Sequence, residues 1–267
     1  FYIDEAFFNN ESSNKYDFLK APNILDIVYE DKNILLLNKK PGLLSHPDED
    51  HYSDTLIIRV MKYLYEKGEY DPSNENTFAP SLANRIDRNT GGLVIAAKNA
   101  EALRILNEKI KQHEIKKKYL CVVHGILAKK SNTLVGYLTK DKNKNIVYIY
   151  NYSEKGSKLI ITKYNVIESK NNLSLVEVEL LTGRTHQIRA HFAHIGHPLL
   201  GDGKYGYNSQ NKKYGSYKKQ FLYSYLLEFS FETDAGTLNY LKGTSFEAPE
   251  VWFKSAFLNG TLKIMKS

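Results

Sequence analysis

The segment Asn84-Arg85-Ile86-Asp87-Arg88-Asn89-Thr90-Gly91-Gly92 sets one carboxylate between two guanidinium groups and follows it with two glycines. Guanidinium charge nearby favours the ionised form of an Asp, the form that could act as a nucleophile or proton acceptor. Glycine at 91 and 92 lets the backbone approach a ligand closely or take a positive φ. The same pattern also fits an Asx-turn whose charges are simply solvated, and spacing alone leaves both readings open.

A second segment runs from Leu181 through Thr182-Gly183-Arg184-Thr185-His186-Gln187-Ile188-Arg189 to His197-Pro198. Gly183 is placed to end a strand and Thr185 to cap a helix over 185–195, which carries Ile188, Phe192 and Ile195 on one face. Free amides at that helix start, with Arg184 and His186, would make an anion site suited to phosphate. Arg189 is one position from Ile188, so it can turn inward. His186, His191, His194 and His197 invite a metal reading, but offsets of five and three without accompanying Cys, Asp or Glu do not build a ligand set. The chemistry expected here therefore involves no metal, and His191 and His194 are expected to pack under the helix through hydrogen bonds. Neither segment matches a phosphate-binding Walker loop, a dinucleotide fingerprint or a serine-hydrolase elbow. Gly201-Asp202-Gly203 is read as a turn, with too few carboxylates around it for calcium.

The elements that must position these segments follow from hydrophobic periodicity. Residues 34–38 predict a strand running into the turn Lys39-Lys40-Pro41-Gly42. Residues 55–67 predict a helix with Leu56, Val60 and Leu64 on one face and Asp54 as its cap. A strand at 93–97 leads into a helix over 100–111, and 119–123 is a strand ending at His124-Gly125. Several β-type runs occupy 145–180, and the last, 173–180, is apolar on both faces and so central in a sheet. A strand at 222–231 and a short helix at 248–258 close the chain. Strands and helices are interspersed and hairpin-like spacing prevails, which predicts an α+β fold around a mixed, largely antiparallel central sheet with flanking helices. Residues 1–23, polar and Asn-rich, read as a linker or tail, and 24–267 as the folded unit that carries both segments. Phe1 is not a natural initiator, so the chain reads as a piece of a longer one.

Across 267 residues, 42% hydrophobic and 25% charged, the composition is that of a globular protein. No apolar run approaches the ~18 residues of a membrane-spanning helix, and the first ten residues lack the basic-then-apolar order of a secretion signal. Cys121 stands alone in an apolar stretch, an expected inert thiol that fits the cytoplasm. A net charge of +7 favours polyanionic partners. Lys212-Lys213-Tyr214-Gly215-Ser216-Tyr217-Lys218-Lys219 mixes ammonium groups with rings that suit unstacked RNA bases, or is equally well a hydrated, mobile loop.

Taken together, these segments resemble the RluA-type RNA pseudouridine synthases. Residues 84–93 resemble the family's catalytic stretch, in which the Asp is essential. Lys117-Lys118-Tyr119 resembles its Lys-x-Tyr stretch, whose Tyr lies against the target base. Residues 182–189, with Gly196-His197-Pro198-Leu199-Leu200-Gly201-Asp202, resemble its third motif, in which the Arg matching Arg189 pairs with the catalytic Asp. Residues 37–42 with Ser45-His46-Pro47 resemble its opening motif, and Phe246-Glu247-Ala248-Pro249 its closing one. The chain departs from many members at Asn84 (His), Gly91 (Ser) and Tyr223-Ser224 (His-Ala). Phe1–Asn10 resembles the end of the small RNA-binding domain that often precedes the catalytic one.

The resemblance implies an isomerase that converts uridine to pseudouridine in RNA, with Asp87, Tyr119 and Arg189 as catalytic residues. It places Asn84, Arg85, Thr90, Gly91, Arg184, Thr185, His186 and Gln187 around the bound RNA, with Arg85 entering the space vacated by the flipped base or gripping the backbone. The implied partner is ribosomal RNA, with transfer RNA as the other candidate. A cytoplasmic monomer with no cofactor and no membrane attachment is expected. Two rivals use the same features: an RNA-binding chaperone or assembly factor without catalysis, and a glycosylase that would release free uracil.

Overall fold

The computed structural model describes residues 15–48, 54–74, 77–141, 143–206, 208–214, 217 and 219–262, with 208, 210 and 213 by backbone alone. In chain order the elements are β1 (Ile27–Glu30), β2 (Ile34–Lys39), α1 (Leu56–Glu66), β3 (Ser81–Leu82), β4 (Gly91–Ala97), α2 (Ala100–Lys111), β5 (Ile115–His124) and β6 (Ser131–Asp141). Then follow β7 (Ile146–Tyr150), β8 (Lys158–Lys170), β9 (Leu173–Leu180), α3 (Gln187–His194), α4 (Asn208–Lys213), β10 (Leu222–Phe229), β11 (Ser245–Glu247) and α5 (Lys254–Leu258). The strands form one sheet in the order β1-β2-β4-β10-β5-β9-β8-β6-β7, with β3 beside β4 and β11 beside β10. Among the described residues the pairings are antiparallel except at β4–β10. The α+β class read from the sequence holds, and 173–180 is indeed interior, between β5 and β8.

The two-residue period of the strands sorts side chains to two faces. On β5, Leu120 and Val122 join Ile105 and Leu106 of α2 in one core. Tyr119, Cys121 and Val123 face the other way and pack with Ile188 and Phe192 of α3. The same split on β2 sends Ile34 and Leu36 to the α2 side and Leu35 and Leu37 to α1. Burial drives the Cys121 thiol pKa far up, which leaves it inert at neutral pH.

The seam between the two halves of the sheet is narrow. β10 meets β4 only at Tyr223 opposite Gly91 and Ser224 opposite Gly92. Gly92 has φ 113°, and a Cβ there would overlap the Ser224 backbone, so glycine is required at this join.

Several expectations are corrected. Asp54 does not cap α1 but pairs with Arg59 at 2.6 Å, and the cap position is Thr55. The helix at 185–195 starts only at Gln187 and ends at His194, and the closing helix begins at Lys254 because Pro249 and its successors form a turn. Strand β6, unread in the sequence, is polar at its start and has Gly136 mid-strand, though Leu134 and Leu138 alternate inward correctly. Of the expected linker, residues 1–14 lie outside the described residues. Phe18 is buried among Leu64 and Tyr70 at the α1 face, so 16–21 belong to the folded unit.

Candidate active site

The loop carrying Asp87 leaves the sheet at a fork in β4. One end of that strand pairs with β10 and the other with β3 at Ala96 and Ala97. Between them, Asn84 Oδ1 accepts the Ile95 N–H at 2.8 Å, so its amide completes the strand edge. Residues 85–90 then form a loop pinned from several sides. The Gly42 and Thr90 N–H groups donate to the Arg88 and Asp87 carbonyls, and Ser45 Oγ donates to the Ile86 carbonyl at 3.0 Å. Below the loop, Lys39 Nζ donates to the Leu43 carbonyl at 2.7 Å and the Arg88 carbonyl at 3.0 Å. Burial lowers the Lys39 pKa to about 7, an effect opposed by the Asp87 charge.

Asp87 finds its cation across the sheet rather than in its sequence neighbours. Arg189 Nη1 donates to Asp87 Oδ2 at 2.9 Å. Arg88 instead turns its Nε to the Gly42 carbonyl at 3.2 Å, and Arg85 is exposed at the cleft. Arg189 is itself held from behind: its Nε and Nη2 donate to Asp202 Oδ2 and Oδ1 at 2.7 and 3.0 Å. Asp202 has no exposed side-chain surface, and its Oδ1 also accepts the Lys204 and Tyr205 N–H groups. One bidentate face of the guanidinium is thus spent on Asp202, and one N–H reaches Asp87. Among the described residues no hydrogen bond is made to Asp87 Oδ1, which leaves that oxygen for a substrate.

The Tyr205 ring lies against the same guanidinium, 5.2 Å from centroid to Cζ. Its hydroxyl accepts the Val147 N–H at 2.9 Å and contacts His186 Nδ1 at 2.9 Å. The tautomer of the neutral ring sets which of the two donates in that contact, and the other ring nitrogen is Nε2. That nitrogen lies 3.9 Å from Asp87 Oδ2. Burial lowers the His186 pKa to about 4, so it is neutral at physiological pH.

These groups open onto a cleft of about 960 Å³, lined among others by Asp87, Tyr119, Lys117, Leu181, Arg184 and Arg189. Tyr119 is buried, and burial together with the Asp87 charge pushes its phenol up to about 12, so it stays protonated. Arg85, Lys111, Lys116 and Arg184 also border the cleft, a basic rim around an acidic centre.

The other residues expected around the RNA divide. Arg85, Thr185 and Arg184 line the cleft with exposed or half-exposed side chains. Gln187 is 1% exposed and fully engaged, accepting from Thr182 Oγ1 and the Arg184 N–H and donating to the Ile161 carbonyl and Thr162. Thr90 borders the cleft but is buried, accepting from Gln220 at 3.1 Å. Gly91 does not border the cleft: a Cβ there would overlap the Tyr223 ring, which fills the space. The expected anion site changes too. Thr185 is not the cap of α3, since His186 at φ 55° holds that position, and the neutral His186 adds no positive charge.

The four histidines diverge: His186 meets Tyr205, His191 meets Thr162, His194 meets Asn151 and His197 meets the His124 carbonyl. In the Lys/Tyr segment, Tyr214 is buried with its hydroxyl on the Asn171 carbonyl, and Tyr217 packs on Phe221. Neither ring is free to stack on a base, while Gly215, Ser216 and Lys218 lie outside the described residues. Asp202 and Tyr205 were not singled out from sequence. The available signal was a lone carboxylate two positions after the apolar run Pro198-Leu199-Leu200, where burial demands a partner.

Residues 33–194 match the family model described as RNA pseudouridylate synthase. This chain belongs to that family. The match spans the Asp87 loop, Tyr119 and Arg189, and the RluA-type motifs fall within it except for the end of the third at 196–202 and the closing one at 246–249. The ribosomal large subunit pseudouridine synthase D of Borreliella burgdorferi is 33% identical over 222 residues, covering 82% of this chain and 65% of the relative. An uncharacterised RNA pseudouridine synthase of Mycoplasma pneumoniae is 34% identical over 245 residues, covering 91% and 72%. Another from Bacillus subtilis is 35% identical over 190 residues, covering 71% and 60%, so this chain spans about two thirds of the length of these relatives. In fold, human RNA pseudouridylate synthase domain containing 1 superposes with a TM-score of 0.67 at 20% identity, over 92% of this chain and 91% of that one.

Proposed function

We propose that this family member is the catalytic unit of an RNA pseudouridine synthase acting on uridines of ribosomal RNA. The observation that carries the reading is the Asp202–Arg189–Asp87 chain, which presents one unengaged carboxylate oxygen in a cleft lined by Tyr119. Isomerising uridine requires breaking the bond from the base nitrogen to the sugar, turning the base, and joining its fifth carbon to the same sugar carbon. Nothing is oxidised or hydrolysed overall, so the residues needed are a carboxylate to form or relay the transient bond and a surface to keep the detached base. Asp87 Oδ1 is placed for the first task, either as nucleophile or as proton acceptor. The protonated ring of Tyr119 supports the second by stacking. Arg189, fixed by Asp202, holds Asp87 in orientation while water is displaced from the cleft. The basic rim supports contact with the phosphates on either side of a flipped nucleotide. The name of the Borreliella relative supports ribosomal RNA as the substrate, and the single thiol supports a reducing compartment, the cytoplasm, with the chain acting as a monomer.

The test is tritium release from RNA labelled at the fifth carbon of uridine, prepared from cells lacking the gene. Wild type should release tritium and form pseudouridine, and Asp87→Asn should release none while remaining folded by circular dichroism. Turnover by the folded variant would remove Asp87 from the chemistry, and free uracil as product would replace the isomerase with a glycosylase.

A further inference from the structure

Among the described residues, one face of the sheet at β6–β7–β8 is covered by no helix. On β6, β7 and β8, Leu138, Val147 and Ile160 turn toward α3 and are buried with Ala190. The alternate residues turn the other way. Val135 is 57% exposed, Leu159 44% and Tyr148 43%, and Tyr137, Tyr150 and Ile161 beside them are half-buried. Strand register sets these into rows: Tyr148 opposite Thr139, then Tyr150–Tyr137–Leu159, then Val135–Ile161. Successive rows on one face are about 7 Å apart. Tyr152 continues the aromatic edge, its ring 6.2 Å from that of Tyr150.

The charge of the chain is concentrated on the same element. Residues 129–163 hold eight lysines against Asp141 and Glu154, a net +6 of the +7 carried by all 267 residues. Lys163 alternates outward with Leu159 and Ile161, and Lys144 and Lys155, exposed and in no ion pair among the described residues, lie in the turns that bound the face, whereas Lys140 and Lys158 stand opposite Val147 and Leu138 and turn toward α3. The face is also continuous with the cleft. Lys163 lies 3.6 Å from Glu179, and the Leu181 N–H donates to the Ile161 carbonyl, and both Glu179 and Leu181 line the cleft.

We infer that the outer face of β6–β7–β8 is a second RNA-binding surface, on which unpaired nucleotides flanking the target stack on Tyr148, Tyr150 and Tyr137 while the lysines contact their phosphates. The inference builds on the RNA-directed function proposed above. Outward aromatic rings on an antiparallel sheet take bases without regard to sequence. A protein partner is the weaker fit, because protein interfaces are depleted in lysine.

The probe is a fluorescein-labelled 12-mer of oligoadenylate, which has no uridine to occupy the catalytic cleft productively, titrated by anisotropy over a range of salt. Tyr148→Ala with Tyr150→Ala should weaken binding by about fivefold or more for each ring lost, and the Tyr→Phe pair should bind as wild type. Lys144, Lys155 and Lys163 changed together to Ala should flatten the salt slope by about 0.7 for each contact removed. Thermal melts of every variant accompany the titrations, and the Lys triple variant supplies the answer if the Tyr→Ala pair does not fold. Unchanged affinity and slope, or no measurable wild-type binding, overturns the inference. So does loss of a wild-type self-association with RNA binding intact, which would make the face a protein contact. Tritium release by wild type, measured in parallel, separates the two readings: release with unaltered oligoadenylate binding defeats only the surface, and no release with impaired variant binding defeats only the proposed enzyme.

Discussion

Asp202→Asn should be the most informative single change outside Asp87. In the wild type, one buried guanidinium is shared by two carboxylates, bidentate with Asp202 at 2.7 and 3.0 Å and single with Asp87 at 2.9 Å. Asn keeps the shape, removes the charge, and turns an N–H₂ toward either Arg189 or the backbone N–H groups of Lys204 and Tyr205. One donor then faces another donor inside a site with no exposed surface at residue 202. Breaking a buried pair by removing one partner costs about 3–5 kcal/mol, and for a domain of this size each kcal/mol moves Tm by about 2–4 °C, so a drop of roughly 6–20 °C is expected. Catalysis should fall further than stability accounts for, because Arg189 loses its anchor and Asp87 its orientation, and a displacement of about 1 Å costs on the order of 100-fold. There is also a pH signature. The Arg189 partnership and two backbone N–H groups hold the Asp202 pKa below its usual value against a burial effect that raises it. Its contribution is therefore present above the ordinary carboxylate range and lost as pH falls through the depressed value, and the variant should lack that acid-sensitive component. The assays are a thermal melt, an acid titration of stability and single-turnover tritium release below the variant's Tm. Wild-type melting together with wild-type turnover would refute the argument that Asp202 positions the Arg189–Asp87 pair.

Tyr119→Ala should leave RNA affinity within about twofold, because phosphate contacts carry the affinity, while single-turnover rates fall on the order of tenfold or more, with Tyr119→Phe intermediate or better, because the ring holds the base only once it is detached, where stacking is worth about 1–3 kcal/mol; impaired binding with normal chemistry would remove Tyr119 from the site. Gly91→Ser should destabilise by about 1–3 kcal/mol through overlap with the Tyr223 ring, and urea denaturation should show part of the loss recovered by adding Tyr223→His. Burial holds His186 and His191 neutral with pKa values of about 4. The stability gained by keeping them neutral is present above about pH 6.5 and is lost as pH falls toward 4, because the unfolded chain takes up protons first. Urea midpoints should fall across that window, and a shallower fall is expected in His191→Phe.

Runs in which residue type and periodicity agree were legible in advance. The strand at 173–180 was apolar on both faces because β5 and β8 flank it, and 100–111 formed the expected helix because its inward positions recur at helical spacing. β6 was not legible, since Gly136 and a polar start conceal an alternation whose outward half is solvent-facing. The loop, the ring and the guanidinium of the site were identifiable from motif runs, but the runs do not distinguish residues that meet a ligand from those that hold the frame. Asn84 and Gln187, expected around the RNA, line the cleft but spend their amides on a strand edge and on neighbouring turns, and Gly91, expected there too, lies against a tyrosine ring. Asp202 was misjudged in the opposite sense: a Gly-Asp-Gly tripeptide signals a turn locally, and only the tertiary fold shows that a guanidinium 13 residues earlier meets that carboxylate.

The two-residue seam between β4 and β10 has a consequence for how activity is acquired. Asp87 is borne by the β1-β2-β4 part of the sheet, whereas Tyr119, Arg189 and Asp202 all belong to the part beyond β10. The Asp87–Arg189 bond joins residues 102 positions apart, as far apart in the chain as the β5–β10 pairs from Cys121–Leu222 to Ile115–Phe229, so it closes with the long-range pairings of the sheet rather than with local contacts. A molecule in which both parts are formed but undocked would have most of its secondary structure and no reactive site. For the function proposed above, that arrangement would withhold the chemistry until the two parts have docked, and it makes recovery of turnover after dilution from denaturant a direct clock for the docking step.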